Sequence, residues 1–148
     1  MADRTEGIIT IDAEPAAIMA VITDFESYPE WADIRGVEIR ERGTDGRATK
    51  VWFEVQAAAI NAKYVLGYDY ADGDLGVSWR FLEGTGLKDI QGEYALEPAD
   101  GSTKVTYRLS VDVNIPGPGF IKRKLLGEGE KRIIDTALKG LKARVEKA

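Results

Sequence analysis

The sequence predicts an α+β fold in which a curved, seven-stranded antiparallel sheet wraps around a long C-terminal helix. Three observations support this prediction. The spacing of apolar residues changes from a helical period to alternation near Val37, and the alternation continues to about residue 113. Dipeptides typical of tight hairpin turns, Asp45-Gly46, Asp72-Gly73 and Asp100-Gly101, divide this alternating region. A long helical pattern then follows from residue 120 to the end of the chain.

The amino-terminal part of the chain predicts one strand and two short helices. Residues 6–13 alternate in polarity and predict the first strand, and helical spacing follows over residues 15–25. Pro29 disfavours helical geometry at Tyr28, so the first helix is expected to end there. A second short helix is predicted through residues 31–33.

Six further strands are predicted between the turns. Because each connection is short, sequential strands should pair as an antiparallel meander, and the first strand can pair with the last. The predicted strands are residues 36–44, 47–57, 61–71, 75–83, 87–97 and 103–113.

A sheet of this size has one apolar face, and only the last helix is long enough to cover it. One helix cannot fill the concavity of a strongly curved seven-stranded sheet. The remaining volume is either filled by side chains or left as a cavity. On the predicted inner face, apolar residues are joined by phenols and one indole, and no carboxylate, lysine or arginine is expected there.

The composition excludes several classes of site. The 148 residues are predicted to form one domain, residues 1–148. They contain no cysteine and no histidine, which removes disulfides, thiol nucleophiles and the commonest general base and metal ligand. Asp69, Asp72 and Asp74 lack the glutamate of a calcium-binding loop, so no metal site is expected. No GxGxxG motif lies between a predicted strand and helix, so no nucleotide site is expected, and no cofactor is predicted. No apolar run reaches the length of a membrane span, so stable membrane insertion is not expected. No signal peptide is evident, so a cytoplasmic location is expected.

Charge is distributed unevenly along the chain. The net charge is −5, which argues against nucleic acid as a partner. Residues 120–148 nevertheless carry nine lysines and arginines against four acidic residues. This helix either presents an ordinary solvated basic face or makes a transient contact with a membrane surface or an anionic protein.

Several segments resemble one family of proteins. Residues 9–15 resemble that family's first strand and the start of its first helix. Residues 23–31, with the sequence TDFESYPEW, resemble its D-F-x-x-Y-P-x-W segment between two short helices. Residues 92–98 and 101–105 resemble its last two strands, and residues 116–120 resemble the entry to its last helix.

Over essentially its whole length, the chain is therefore similar to the START-like (SRPBCC) superfamily. Within it, the chain looks like the bacterial polyketide cyclase/dehydrase group, which includes coenzyme Q-binding START-like proteins. This resemblance implies the helix-grip fold. The family contains aromatase/cyclases, lipid and hormone binders and quinone-binding proteins, so the fold alone leaves the function open.

Two functions are compatible with these observations. The first is binding of a hydrophobic, ring-containing small molecule, such as a lipid, a quinone or a polyketide, in a cavity between the sheet and the last helix. The residues predicted to contact it are Trp31, Phe53, Tyr64, Leu66, Tyr68, Trp79, Phe81, Tyr94, Tyr107, Leu126, Ile133 and Ile134.

The alternative function is a polyketide aromatase/cyclase or dehydratase acting on a bound poly-keto substrate. Without histidine, cysteine or a metal, proton transfer would depend on tyrosine, a carboxylate, lysine or arginine. Tyr28 and Arg80 are the candidate catalytic residues, although the strand register points Arg80 outward. Whether the chain is an enzyme stays open at this point.

The last helix is expected to be weakest at its start. Gly127 and Gly129 lower helix propensity, and prolines and glycines precede the helix. We therefore expect residues 117–130 to be less rigid than residues 133–145. A ligand is expected to enter between this segment and the loop around residues 28–31.

Overall fold

The computed structural model describes residues 5–32, 34–57, 60–113 and 118–147. Their strands form one seven-stranded antiparallel sheet with the spatial order β1-β7-β6-β5-β4-β3-β2. This order confirms the predicted meander closed by pairing of its first and last strands. The strands are β1 (Thr5–Ile11), β2 (Gly36–Arg42), β3 (Ala48–Ala57), β4 (Ile60–Tyr70), β5 (Gly76–Thr85), β6 (Asp89–Ala99) and β7 (Ser102–Asp112).

The described residues also form two α-helices and two 3₁₀ helices: α1 (Pro15–Ile22), the 3₁₀ helices Phe25–Glu30 and Asp72–Asp74, and α2 (Gly119–Lys147). The long helix α2 contacts β1 and β7, as the predicted fold class requires. No helix in the described part of the chain is long and apolar enough to cross a membrane.

The hairpin turns have the backbone geometry that their sequences predict. Gly46 and Gly101 both adopt a φ of +84°, and Asp100 beside Gly101 adopts a φ of +42°. Aspartate and glycine tolerate this left-handed region better than most residues, which is why such dipeptides favour tight hairpins. The predicted turn at residues 58–61 lies partly outside the described residues.

The short helices differ from the prediction. The first helix ends at Ile22 rather than Phe25, and the second covers Phe25–Glu30 rather than residues 31–33. Pro29 lies inside this second helix. A 3₁₀ turn bonds residue i to i+3, so a missing N–H near the end of so short a segment interrupts little. Trp31 consequently lies at the end of the 3₁₀ helix, and Asp33 lies outside the described residues.

The sheet is discontinuous between β5 and β6. These strands pair only from Gly76 to Arg80 on β5, and the rest of β5 stays paired with β4 alone. A bulge in the β4–β5 ladder lies between Val65 and Leu66. Beyond Arg80, β5 and β6 therefore diverge toward the loop that connects them, and Leu87 lies in this loop.

The core lies between the concave face of the sheet and the helices α1 and α2. Its fully buried side chains include Ile11, Ile18, Leu109 and Leu141. In α2 the buried residues are Glu130, Ile134, Ala137, Leu138, Leu141 and Val145.

Glycine permits α2 to approach its neighbours closely at two places. A Cβ atom at Gly7 would lie 2.4 Å from Cγ2 of Ile134, so the absence of a side chain allows β1 to contact α2. A Cβ atom at Gly140 would lie 2.4 Å from the carbonyl oxygen of Trp31. The segment after the first 3₁₀ helix is therefore held directly against the backbone of α2.

Candidate functional site

A cavity of about 140 Å³ lies between the sheet and α2. Among its described lining residues, none carries a charged side chain. Most are aromatic or aliphatic, which makes the cavity apolar with a few phenol and indole groups. The lining residues are Tyr28, Trp31, Ala32, Ile34, Phe53, Val55, Ala62, Tyr64, Leu66, Tyr68, Trp79, Leu87, Ile90, Tyr94, Tyr107, Val111, Ile133, Thr136 and Ala137.

Most of the predicted ligand contacts lie in this lining, on β3 to β7, α2 and the loop after the first 3₁₀ helix. They are Trp31, Phe53, Tyr64, Leu66, Tyr68, Trp79, Tyr94, Tyr107 and Ile133.

Three predicted contacts lie elsewhere. Phe81 is half-buried and follows the part of β5 that pairs with β6, where the two strands have begun to diverge. Leu126 precedes the first buried residue of α2. Ile134 is buried, but it faces β1 at Gly7 instead of the cavity. For these three residues, alternation and helical spacing indicated burial but not which part of the core each would contact.

The aromatic residues of the cavity form one connected group because their strands pair in register. Tyr94 lies directly opposite Tyr107 in the β6–β7 ladder, and their ring centroids are 4.5 Å apart. Tyr68 lies opposite Trp79, with centroids 6.0 Å apart. The Trp79 ring also meets Tyr107 edge-on at 88°. Edge-to-face contacts of this kind stabilise the cavity wall and hold the rings in place.

Gly92 creates the space that the Trp79 ring occupies. Gly92 lies opposite Trp79 on β6, and a Cβ atom there would lie 2.6 Å from Cζ2 of the indole. Any side chain at position 92 would therefore displace the ring. No sequence signal indicated this role, since Gly92 only continued the alternation of inward positions.

Burial keeps the phenols of the cavity neutral. It raises the pKa of Tyr64, Tyr68, Tyr94 and Tyr107 above the ordinary value of 10, and neighbouring phenols add to the rise at Tyr68, Tyr94 and Tyr107. These four hydroxyls make no hydrogen bond to another described residue. They are consequently neutral groups that retain hydrogen-bonding capacity toward the cavity.

The two candidate catalytic residues have other partners. The hydroxyl of Tyr28 donates a hydrogen bond to the carbonyl oxygen of Ile22, at the end of α1. Tyr28 is nevertheless one of the residues that line the cavity. Arg80 lies on the outer face of the sheet, where Nη1 is 2.9 Å from Oδ2 of Asp69, and both side chains are exposed. Arg80 therefore points away from the cavity, as the strand register predicted.

Trp31 carries an unpaired polar atom. Its side chain is half-buried, contacts Tyr28 with centroids 5.0 Å apart and lines the cavity. Its Nε1 atom is buried and has no hydrogen-bond partner among the described residues. An unpaired N–H in such surroundings costs about 1–3 kcal/mol.

The cavity reaches the surface beside α2. Ile133 lines the cavity and is 36% exposed, and Leu87 approaches it from the divergent end of the β5–β6 hairpin. Thr136 contributes a hydroxyl one helical turn before Gly140. Thr136 and Leu87 were not predicted as contacts, although Thr136 follows Ile133 at the i+3 spacing of one helix face.

Comparisons with known proteins agree with this geometry. A family profile described as "Polyketide cyclase / dehydrase and lipid transport" matches residues 3–146. Among curated proteins, a sequence search found no match.

Solved structures include close matches in fold. A START superfamily protein from Mycobacterium smegmatis is 25% identical, with a TM-score of 0.82 over 97% of each chain. The Zhui aromatase/cyclase from Streptomyces sp. R1128 is 18% identical, with a TM-score of 0.83 over 99% of this chain and 94% of that one. The protein TTHA0849 from Thermus thermophilus is 20% identical, with a TM-score of 0.83 over 97% of each chain.

Proposed function

Because the chain belongs to the polyketide cyclase/dehydrase and lipid transport family, we propose that it binds a neutral, ring-containing hydrophobic molecule that carries an acceptor oxygen. The observation that supports this most strongly is the uncharged lining of the cavity, whose polar groups include phenols and the hydroxyl of Thr136. Such groups donate hydrogen bonds to carbonyl or ether oxygens and do not compensate a buried carboxylate. A free fatty acid is therefore a poor fit.

The volume of the cavity limits the size of the ligand that it can hold. A dry apolar cavity of about 150 Å³ accommodates a benzene-sized molecule. The cavity of about 140 Å³ is therefore suited to one ring. A larger ligand would place one ring inside and leave its remainder at the mouth beside Ile133.

Binding is favoured over catalysis for a chemical reason. Aldol-type cyclisation needs a group that removes a proton and a group that stabilises an enolate oxygen. In the described lining the only titratable groups are tyrosines, and a raised pKa makes a phenol a weaker proton donor near neutral pH. No observation on this cavity favours the cyclase alternative over binding.

The test compares three single-ring compounds of similar size: acetophenone, ethylbenzene and benzoate. We expect acetophenone to bind most tightly, since it adds an acceptor to an apolar body, and benzoate to bind least. Binding is measured by NMR chemical-shift titration of the protein. Equal affinity for acetophenone and ethylbenzene would contradict the role of the polar groups, and tight binding of benzoate would contradict the neutral-ligand proposal.

A pair of tyrosine variants identifies the site. Tyr107→Phe removes a hydroxyl from the cavity and should weaken acetophenone binding by about two- to tenfold, the effect of one hydrogen bond, without changing ethylbenzene binding. Tyr70→Phe is the matched control, because that hydroxyl donates to the carbonyl oxygen of Ala48, 2.7 Å away, and Tyr70 does not line the cavity. Ala62→Leu, which fills the cavity, should weaken binding of both compounds. If neither Tyr107→Phe nor Ala62→Leu weakened acetophenone binding, this site would be excluded.

A further inference from the structure

The first eleven residues of α2, Gly119–Gly129, contain no buried residue. Three large apolar side chains are nevertheless exposed there: Phe120 at 70%, Ile121 at 43% and Leu125 at 48%. Apolar residues scattered singly over a surface need no explanation, but three within two helical turns form a patch. We call residues 120–125 the leading segment of α2.

The leading segment also carries cations that lack acidic partners. Arg123 and Lys124 are exposed and form no ion pair with another described residue. In the second half of α2, Lys142 pairs with Glu146 and Arg144 pairs with Glu30, but no large apolar side chain of the described residues lies exposed beside them. A chain with a net charge of −5 thus leaves unpaired positive charge beside an exposed apolar patch.

We propose that the leading segment docks onto the surface of an anionic lipid bilayer. A helix that exposes Phe, Ile and Leu beside Lys and Arg can insert its apolar side chains at the headgroup boundary while its cations contact acidic lipids. The helical repeat of 3.6 residues places Phe120, Ile121 and Leu125 on one side of the helix, and none of the three is buried.

The position of the segment relates docking to the cavity. Ile133, which lines the cavity and is exposed, lies two turns after Leu126 on the same helix. A bilayer that contacts the leading segment would therefore lie near the mouth of the cavity. Docking at this surface goes beyond ligand binding in the cavity, because no residue of the leading segment belongs to the cavity lining.

The first test is sedimentation of the intact protein with lipid vesicles. We expect binding to vesicles of phosphatidylcholine with phosphatidylglycerol and at least tenfold weaker binding to phosphatidylcholine alone. The double variant Phe120→Ser/Leu125→Ser should weaken binding to the anionic vesicles by about tenfold or more. Ile8→Ser is the matched control, since Ile8 is 53% exposed on β1, and it should leave vesicle binding unchanged.

The second test separates charge from apolar contact. Lys124→Glu should weaken binding to anionic vesicles by about tenfold, whereas Lys139→Glu, an identical change at an exposed position further along α2, should have a much smaller effect. Binding should also weaken as salt is raised, because salt screens the exposed charges.

Three results would overturn the proposal. They are equal binding to neutral and anionic vesicles, no binding to either, and self-association in the absence of lipid that Phe120→Ser/Leu125→Ser abolishes. The last result would assign the patch to a second copy of the chain. Acetophenone affinity measured on the same variants should be unchanged, so loss of docking and loss of the cavity are distinguishable.

Discussion

The two halves of α2 have opposite relations to the rest of the molecule. The second half buries Ile134, Leu138, Leu141 and Val145 against the sheet, and ion pairs anchor its exposed side. The first half buries no residue before Glu130 and contains three glycines, Gly119, Gly127 and Gly129. Tertiary packing supplies most helix stability in proteins. The second half of α2 therefore contributes to the stability of the fold, whereas the first half contributes little and leaves most of its side chains exposed to solvent.

The largest expected difference concerns equivalent leucine substitutions. Leu141 is 0% exposed, so Leu141→Ala should lower the free energy of unfolding by about 2–5 kcal/mol. Leu125→Ala removes the same atoms from an exposed position and should change it by less than about 0.5 kcal/mol. Urea denaturation measures both. Similar losses for the two variants would mean that the first half is packed after all.

Alanine at glycine positions should have opposite effects in the two halves. Gly140→Ala would place a Cβ 2.4 Å from the carbonyl oxygen of Trp31 and should destabilise the fold by about 1–3 kcal/mol. At Gly127 and Gly129 a Cβ meets no other described atom within 4 Å. Replacing both by alanine should therefore stabilise α2 by about 0.5–1 kcal/mol for each residue. Thermal unfolding of the two variants measures the difference in sign.

Hydrogen exchange measures the same contrast without denaturant. Amides in residues 120–129 should exchange faster than those in 133–145 in the unmodified chain, and the Gly127→Ala/Gly129→Ala variant should reduce the difference. Slower ligand exchange in this variant would support an entrance beside the first half. Equal protection in both stretches, together with unchanged ligand exchange, would exclude that entrance.

Glu130 marks the boundary between the halves. Its carboxylate accepts hydrogen bonds from the hydroxyl of Thr5 and from the backbone N–H of Val111, both at 2.6 Å. Glu130→Gln weakens these charge-assisted bonds and should cost about 1–2 kcal/mol. Glu128→Gln is the control, because Glu128 is exposed and lies before the packed part of the helix. No difference in unfolding free energy between the two variants would show that the carboxylate does not anchor α2.

The smallest effect is expected from pH near neutrality. With no histidine in the chain and no charged residue in the described lining, acetophenone affinity should stay constant from about pH 5.5 to 8. Stability should fall only above pH 10, because burial raises the pKa of the cavity tyrosines above their unfolded value of 10. Their contribution is complete below that pH and is lost as pH rises through the folded pKa values. The free energy of unfolding, measured from about pH 7 to 11, tests this expected loss of stability.

Much of the fold was predictable because local chemistry determines it. Aspartate-glycine turns specify where strands end, and alternation specifies which residues of β7 face inward. The 3₁₀ helix Phe25–Glu30 was not predicted, since Pro29 excludes an α-helix more strongly than it excludes a single 3₁₀ turn.

The cavity was less predictable than the fold. Its existence follows from one helix covering seven strands, but its outline depends on where β5 leaves β6 and on the approach of α2 to Trp31. Both features arise from contacts between residues far apart in sequence. Phe81 illustrates the limit, because its inward parity was insufficient to determine whether it reached the cavity.

Pairing of the first strand with the last has a consequence for how the molecule assembles. Gly7 pairs with Tyr107, and Thr5 bonds to Glu130, so the earliest residues find their partners only after most of the chain exists. Closing loops of this length is entropically costly and slows folding. During synthesis the apolar side chains of β1 stay exposed to solvent until β7 and α2 have left the ribosome. We expect the meander β2 to β6 to form first, and the closing of the sheet by β1 to be a late and rate-determining step.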